Sequence, residues 1–304
     1  MNVLVTGITG YVGSRLAPRL RREGHTVRGF SRDPRQVELD VPVIVGDAVS
    51  GIGLARALED IDTAYFLIHS MEPSTDGAFE AREQEAAGNF ARAAQQAGVR
   101  RIVYLGGLVP TTGSASVHLS SRLEVENILL ASSPCSVAFR ASIVIGAGSR
   151  SFRFLVRLVE RIPVLVVPAW HANRTAPVDE RDVIELLARA ATDGSVGGRS
   201  LDVGGPDVVS YGELIDRIRD LMLVGRPTIS LRRLNLTPIA SRISALIAGE
   251  QHELIGPLME GLNSDLLPRD NHAAELLGVK LHSLDRAIER ALREWEATEE
   301  LAAR

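Results

Sequence analysis

The sequence predicts an α/β fold: a doubly wound parallel sheet with a small, mostly helical C-terminal lobe. Three observations predict it. Short apolar runs alternate with helical patterns at intervals of about 20–30 residues, the rhythm of β-α-β units. A turn with three evenly spaced glycines, Gly7, Gly10 and Gly13, joins the first strand pattern to the first helix pattern. The chain has 304 residues, 45% hydrophobic and 24% charged, which suits one large α/β domain with an appendage and excludes a disordered or collagen-like chain.

Residues 2–6 read as a short buried strand. Helix 12–23 follows, with Val12, Leu16 and Leu20 four apart on one face and Gly24 as its C-terminal stop. Strands are read at 25–30 and 42–45, a short helix at 54–59 and a further strand at 63–68. A polar loop, 69–77, leads into a long helix from Phe79 to Ala97, closed by Gly98. Strand 101–105, helix 120–132 and strand 135–140 continue the alternation.

The second half is less regular. Phe152, Leu155, Val156 and Val159 mark a helix over 151–161, and Val164 to Val167 a strand-like piece next to prolines. A helix at 179–192 and a strand at 199–203 come next. Ser210 with Glu213 three residues on is a capping box for helix 211–223. Residues 237–262 hold two amphipathic segments broken at Gly249 and Gly256-Pro257, and the last helix spans 284–300. The expected organisation is a nucleotide-binding domain over 1–150, its sheet completed by parts of 174–205, interleaved with a small substrate lobe over 151–304.

Composition narrows the function. A formal net charge of −4 argues against a general nucleic-acid binder, because no excess positive charge is available for phosphates. No run of about 18 apolar residues occurs, so no membrane-spanning helix is expected. The start of the chain lacks a signal-peptide pattern, and a cytoplasmic protein is expected. Cys135, the one cysteine, allows no intramolecular disulfide and reads as a small core residue heading a strand. His252, His272 and His282 show no metal-ligand spacing, so no metal is expected. Of 34 Lys plus Arg, Lys280 is the one lysine, which leaves 33 arginines and excludes any mechanism needing a lysine earlier in the chain.

The glycine turn, Thr6-Gly7-Ile8-Thr9-Gly10-Tyr11-Val12-Gly13, carries the strongest chemical signal. Gly7 allows the tight turn, Gly10 lets backbone approach a pyrophosphate, and Gly13 lets helix and strand pack closely. The helix N-terminus then offers N–H groups to an anion, so Thr9, Tyr11 and Val12 are read with the glycines as cofactor-binding.

The spacing resembles the short-chain dehydrogenase/reductase superfamily, in its extended and atypical branches. Gly46-Asp47 resembles the segment whose Asp contacts adenine in that family, with Ala48 beside it. Asn89 lies on the long helix where an Asn recurs in the extended branch. Arg140 with Ile145-Gly146 resembles the family's Arg-Pro-x-x-x-x-Gly segment, with Ala141 in place of Pro. Phe66 to Met71 and Tyr104 to Leu108 resemble a bacterial group of NAD(P)-binding atypical members, whose relatives include NmrA-like sensors and the complex I accessory subunit. The resemblance covers about residues 1–210. It implies a Rossmann-type fold and a dinucleotide site that also includes Leu67, Ile68, His69 and Gly106.

Cofactor choice turns on the end of the second strand. A NAD site places an acid there for the ribose 2′-OH. Here Ser31 and Arg32 stand at that point, and Arg32 can clamp a 2′-phosphate. NADP(H) is therefore preferred; NAD(H) stays open because Asp33 follows.

The catalytic apparatus departs from the family. Most members use Tyr-x-x-x-Lys plus a Ser. The residues four on from Tyr11, Tyr65, Tyr104 and Tyr211 are Arg15, His69, Leu108 and Ile215. In place of the pair stand His118 and Arg122, four apart: His118 as a proton donor, Arg122 as a fixed cation near the ribose. Against this, Ser121 with Glu124 forms a capping box that would start the helix at Arg122 and leave His118 in the loop. His69, Ser70 and Leu108 are candidates for the substrate side. Trp170 is another, as an aromatic wall or a packing anchor.

Two function classes follow. The first is an NAD(P)H-dependent reductase of a small-molecule acceptor such as a quinone, flavin, enone or ketone, which can take its proton from water. The second is a dinucleotide sensor or assembly protein that kept the fold and lost the chemistry. An epimerase or dehydratase fits less well, since those normally carry the Tyr and Lys. The apolar faces at 237–248 and 284–296 read as core and leave a homodimer open.

Overall fold

The computed structural model describes residues 1–68, 79–110, 117–161, 165–167, 169–223, 228–230, 262, 264–299 and 301. Its strands, in chain order, are β1 (Asn2–Thr6), β2 (Thr26–Ser31), β3 (Val43–Val45), β4 (Thr63–Phe66), β5 (Arg101–Gly107), β6 (Val137–Ala141), β7 (Val144–Ile145), β8 (Leu165–Val167), β9 (Arg174–Thr175), β10 (Val178–Asp179), β11 (Arg199–Val203), β12 (Val209–Ser210) and β13 (Thr228–Ser230). The helices are α1 (Tyr11–Arg22), α2 (Leu54–Leu58), α3 (Phe79–Gln96), α4 (Val117–Ala131), α5 (Arg150–Arg161), α6 (Glu180–Arg189), α7 (Tyr211–Leu221), α8 (Ala273–Leu276) and α9 (Leu284–Glu296).

Among the described residues, seven strands form one sheet in the order β11-β6-β5-β4-β1-β2-β3, with every neighbouring pair parallel. The chain winds outward from β1 through β2 to β3, then returns to β4 on the other side of β1. The sheet therefore reverses direction between β1 and β4, and the carboxyl ends of these strands border the crevice where α/β sheets bind ligands. This is the Rossmann arrangement that the strand–helix alternation predicts. β11 forms its outer edge beside β6, so residues far along the chain complete the sheet.

Alternating strand residues build two cores. Val3 and Val5 of β1 pack with Leu16 and Leu20 of α1 and with Leu186 and Leu187 of α6. Leu4, one residue out of phase, joins Phe66, Phe90 and Leu129 on the opposite face. Hydrogen bonds reinforce the first layer: Tyr65 donates to the Leu187 carbonyl at 2.7 Å and Thr63 to the Ala191 carbonyl at 3.1 Å. A third core joins α5, α7 and α9 through Phe152, Leu155, Leu214, Ile218, Ile288 and Trp295.

Most of the predicted elements stand within a few residues of their predicted bounds. Gly24 and Gly98 end their helices at φ +83° and +71°, where a side chain would be strained. Ser210 and Glu213 form both bonds of the capping box that opens α7. Two readings change. α4 begins at Val117, so the Ser121–Glu124 capping box does not form; Ser121 Oγ donates instead to Glu83 Oε2 at 3.2 Å. Cys135 is exposed and precedes β6 in a turn. What that turn contributes inward is its backbone, since the Cys135 carbonyl accepts from Arg101 Nε at 3.0 Å. Of the segment read as amphipathic over 237–262, residues 237–261 lie outside the described residues.

Candidate functional site

The glycine turn is shaped by close backbone approach. Gly7 has φ +64°, and a Cβ there would stand 2.5 Å from the Leu67 carbonyl oxygen. A Cβ on Gly13 would overlap the carbonyl oxygen of Gly7. Gly10 N donates to that same oxygen at 2.9 Å, and Ser14 N donates to the Gly10 carbonyl at 2.9 Å. Gly10 is the N-cap of α1, so no side chain caps the first turn, and no acid stands within it. Thr9 and Gly10 are exposed. An uncapped helix N-terminus behind a turn drawn tight at Gly7 and Gly13, at the point where the sheet reverses, fits a pyrophosphate held by backbone N–H groups.

Thr6 sews this turn to β4. Its hydroxyl donates to the Tyr65 carbonyl at 2.9 Å and accepts the Leu67 N–H at 3.1 Å. Leu67 and Ile68 are thereby placed beside the glycines. His69 and Ser70 lie outside the described residues.

At the end of β2 the chain turns tightly. Ser31 Oγ donates to the Asp33 carbonyl at 3.0 Å and accepts the Asp33 N–H at 3.2 Å. Both carboxylate oxygens of Asp33 are engaged by Arg35: Oδ1 accepts its N–H at 3.1 Å and its Nε at 2.9 Å, and Oδ2 accepts Nη2 at 3.0 Å. The Arg35 guanidinium and backbone N–H hold the Asp33 carboxyl below its ordinary pKa. Arg32 is exposed on the same turn. The acid that could serve a ribose 2′-OH is thus already matched by a cation.

Past β3, Asp47 Oδ1 accepts the Val49 N–H at 2.8 Å, which orients its carboxylate. Asn89 of α3 donates to the carbonyls of Ala48 at 3.2 Å and Val49 at 2.6 Å. One amide therefore pins the loop after β3 to a helix 40 residues away in the chain.

The four tyrosine hydroxyls are all committed to structural partners. Tyr11 donates to Glu180 Oε2, Tyr65 to the Leu187 carbonyl and Tyr104 to the Arg122 carbonyl at 3.5 Å. Tyr211 hydrogen-bonds the Thr175 side chain. Burial pushes all four pKa values up, that of Tyr211 to about 12. A tyrosine poised to deliver its proton needs the opposite shift.

His118 and Arg122 both lie on α4, one turn apart along the helix. Arg122 is buried, with Nη2 3.7 Å from Glu83 Oε1 across the α3–α4 contact. Glu83 was not singled out from the sequence; it stands between Glu80 and Glu85 on an amphipathic helix, and nothing in that pattern marks it as the buried one. Gly106 stands beside the Tyr104 ring, and Leu108 is buried with its N–H donating to the Ala141 carbonyl at 3.1 Å. Trp170 is buried in the core of α5, α7 and α9, edge-on to Tyr211 at 6.2 Å between ring centres. That is a packing position. Among the described residues no cluster of potential ligands could hold a metal ion, and no helix is long and apolar enough to cross a membrane.

Residues 7–131 match a family described as NAD(P)H-binding. The chain is 30% identical over 234 residues to a (4-alkanoyl-5-oxo-2,5-dihydrofuran-3-yl)methyl phosphate reductase of Streptomyces griseus, covering 74% of each protein. It is 28% identical over 189 residues to a ceramide reductase of Caulobacter vibrioides, covering 61% of this chain and 59% of that protein. Among solved structures, MoeE5 in complex with UDP-glucose and NAD is similar at a TM-score of 0.73 and 21% identity, covering 98% of this chain and 99% of that one. At that identity the likeness speaks for the fold. The chain spans 31% to 59% of the length of several curated relatives that it matches.

Proposed function

The chain belongs to the NAD(P)H-binding, atypical short-chain dehydrogenase/reductase family, and we propose that it is a reductase of a small organic acceptor: a quinone, a flavin, an enone or a ketone. One observation carries this reading: the glycine turn of Gly7, Gly10 and Gly13 meets an uncapped helix N-terminus where the sheet reverses. Gly7, Thr9, Gly10, Tyr11, Val12 and Gly13 would hold the pyrophosphate through backbone N–H groups. Asp47 and Ala48 would border the adenine, with Leu67, Ile68 and Gly106 toward the nicotinamide. When bound, the cofactor supplies a hydride.

NADPH is the preferred form. Arg35 matches the charge of Asp33, and Arg32, exposed on the same turn, would meet a 2′-phosphate. The four committed tyrosines favour acceptors that draw their proton from water, or from His118 on the first turn of α4. Arg122 would act as a fixed cation, its orientation set by Glu83. The substrate side falls to Leu108 and the segment of His69 and Ser70.

The second reading is a nucleotide sensor or assembly protein, favoured by the same lack of an available tyrosine. Calorimetric titration with NADPH and NADH, followed by NADPH oxidation across a panel of quinones, flavins, enones and ketones, separates the two. Micromolar binding with turnover of a panel member supports the reductase. Binding without turnover on any acceptor class favours the sensor. No binding of either nucleotide removes both.

A further inference from the structure

Tyr11 opens α1, so its backbone belongs to the glycine turn, but its side chain reaches across to the loop between β7 and α5. A Cβ built on Gly148 would stand 2.6 Å from Tyr11 Cδ2, and one on Gly146 would overlap the hydroxyl, so these two glycines make the groove in which the phenol lies. The hydroxyl donates to Oε2 of Glu180, the buried first residue of α6. Oε1 of that carboxylate is 3.3 Å from Arg15 Nη1 and accepts from Arg290 Nη1 at 3.0 Å. Both arginines also meet Glu294, at 2.5 Å from Arg15 and 3.4 Å from Arg290. One buried carboxylate thus joins the glycine turn, α6 and α9. Burial and the adjacent Glu180 charge keep the Tyr11 hydroxyl protonated, a permanent donor.

We propose that Tyr11 and Glu180 are positioning residues for the cofactor: resting on the reading that the turn binds NAD(P)H, their hydrogen bond sets the angle at which the first turn of α1 aims its N–H groups at the pyrophosphate. Hydrogen bonds weaken steeply off axis, so a small tilt of that turn costs affinity. Arg15, Arg290 and Glu294 make the angle depend on the docking of α9. The pyrophosphate is common to NADPH and NADH, so the clasp acts on both alike, whereas Arg32 acts on NADPH alone.

The test is calorimetric titration of the full chain and its Tyr11→Phe, Glu180→Gln and double variants with NADPH and with NADH. Amide hydrogen exchange of residues 7–14 is measured on the nucleotide-free proteins. Tyr11→Phe keeps the ring over Gly146 and Gly148, so it tests the bond without emptying the groove. The expected result is a rise in Kd of about tenfold for both nucleotides, as for a lost hydrogen bond to a charged group. Exchange over residues 7–14 becomes faster, and the double variant binds no more weakly than Glu180→Gln alone. Wild-type binding with a Tyr11→Phe Kd within about twofold for both nucleotides overturns the positioning role and leaves the dinucleotide site standing. A loss confined to NADPH overturns it too. Failure of the wild type to bind either nucleotide overturns the dinucleotide reading, and the positioning role with it.

Discussion

A Cβ on Gly13 would collide with the Gly7 carbonyl oxygen, so α1 and the turn after β1 meet at a separation that only glycine permits. That contact brings the helix N-terminus down onto the turn and keeps its N–H groups within reach of an anion. Gly13→Ala must push α1 away from that turn. It is expected to lower stability by about 1–3 kcal/mol, the usual range for overpacking, and to weaken NADPH binding in the molecules that remain folded. Thermal melting paired with titration checks this; unchanged affinity in Gly13→Ala would sink the cradle as the binding element.

Arg32→Ala separates the two cofactors. Loss of a charge-assisted hydrogen bond of about 1.5–3 kcal/mol corresponds to roughly a 10- to 100-fold weaker NADPH complex. The NADH complex is expected to change little, because NADH carries no 2′-phosphate and Asp33 is matched by Arg35. Parallel titrations decide it. Equal loss for both nucleotides would show that Arg32 does not read the 2′-phosphate.

Asn89→Ala removes both donors that pin the loop after β3. Two carbonyls then lose their partner, at a cost of about 1–3 kcal/mol. The expected outcome is a lower melting temperature together with weaker binding of ADP, which carries the adenine half of the cofactor. A melting temperature equal to wild type would mean that the loop is held by other contacts.

His118→Ala is the test of a protein-borne proton. With a ketone acceptor its kcat is expected to fall and its pH profile to lose the limb set by an imidazole near neutrality. With a quinone, which is protonated from water, turnover is expected to be unaffected. Equal turnover of ketones by both proteins would remove His118 from the chemistry while leaving the reductase reading intact.

Asp265 gives a pH prediction. The Arg174 backbone N–H, which donates to Oδ1 at 2.7 Å, and the Arg174 guanidinium hold its pKa below the ordinary value. For a carboxyl lowered in the folded state, the stabilisation is complete above the unfolded pKa and is lost as pH falls through the folded one. Melting temperatures are therefore expected to decline from about pH 5 downward, and to decline less steeply in Asp265→Asn. Parallel slopes for the two proteins would rule the group out as a contributor.

The frame of the molecule was legible in the residues because it is written in local chemistry. Val3, Leu4 and Val5 alternate between two faces, Gly24 and Gly98 stop helices at positive φ, and Gly7 and Gly13 stand where a Cβ would collide with backbone. Each of these signals spans only a few neighbours. The start of α4 was less legible: Ser121 and Glu124 have capping-box spacing, yet Ser121 finds Glu83 on another helix, a competitor that no local pattern contains. Cys135 was misplaced for a similar reason, since its carbonyl and not its thiol is what the neighbouring strand needs.

Partnerships between distant residues were decided by the packing of the layers alone. Tyr11 and Glu180 are 169 residues apart and meet because α1 and α6 cover the same face of the sheet. Arg122 and Glu83 meet because α3 and α4 lie side by side on the other face. Period, turn type and composition carry no information about which buried charge faces which. That choice is made when desolvation obliges each one to find a partner, and it is there that the chemistry of the site was set.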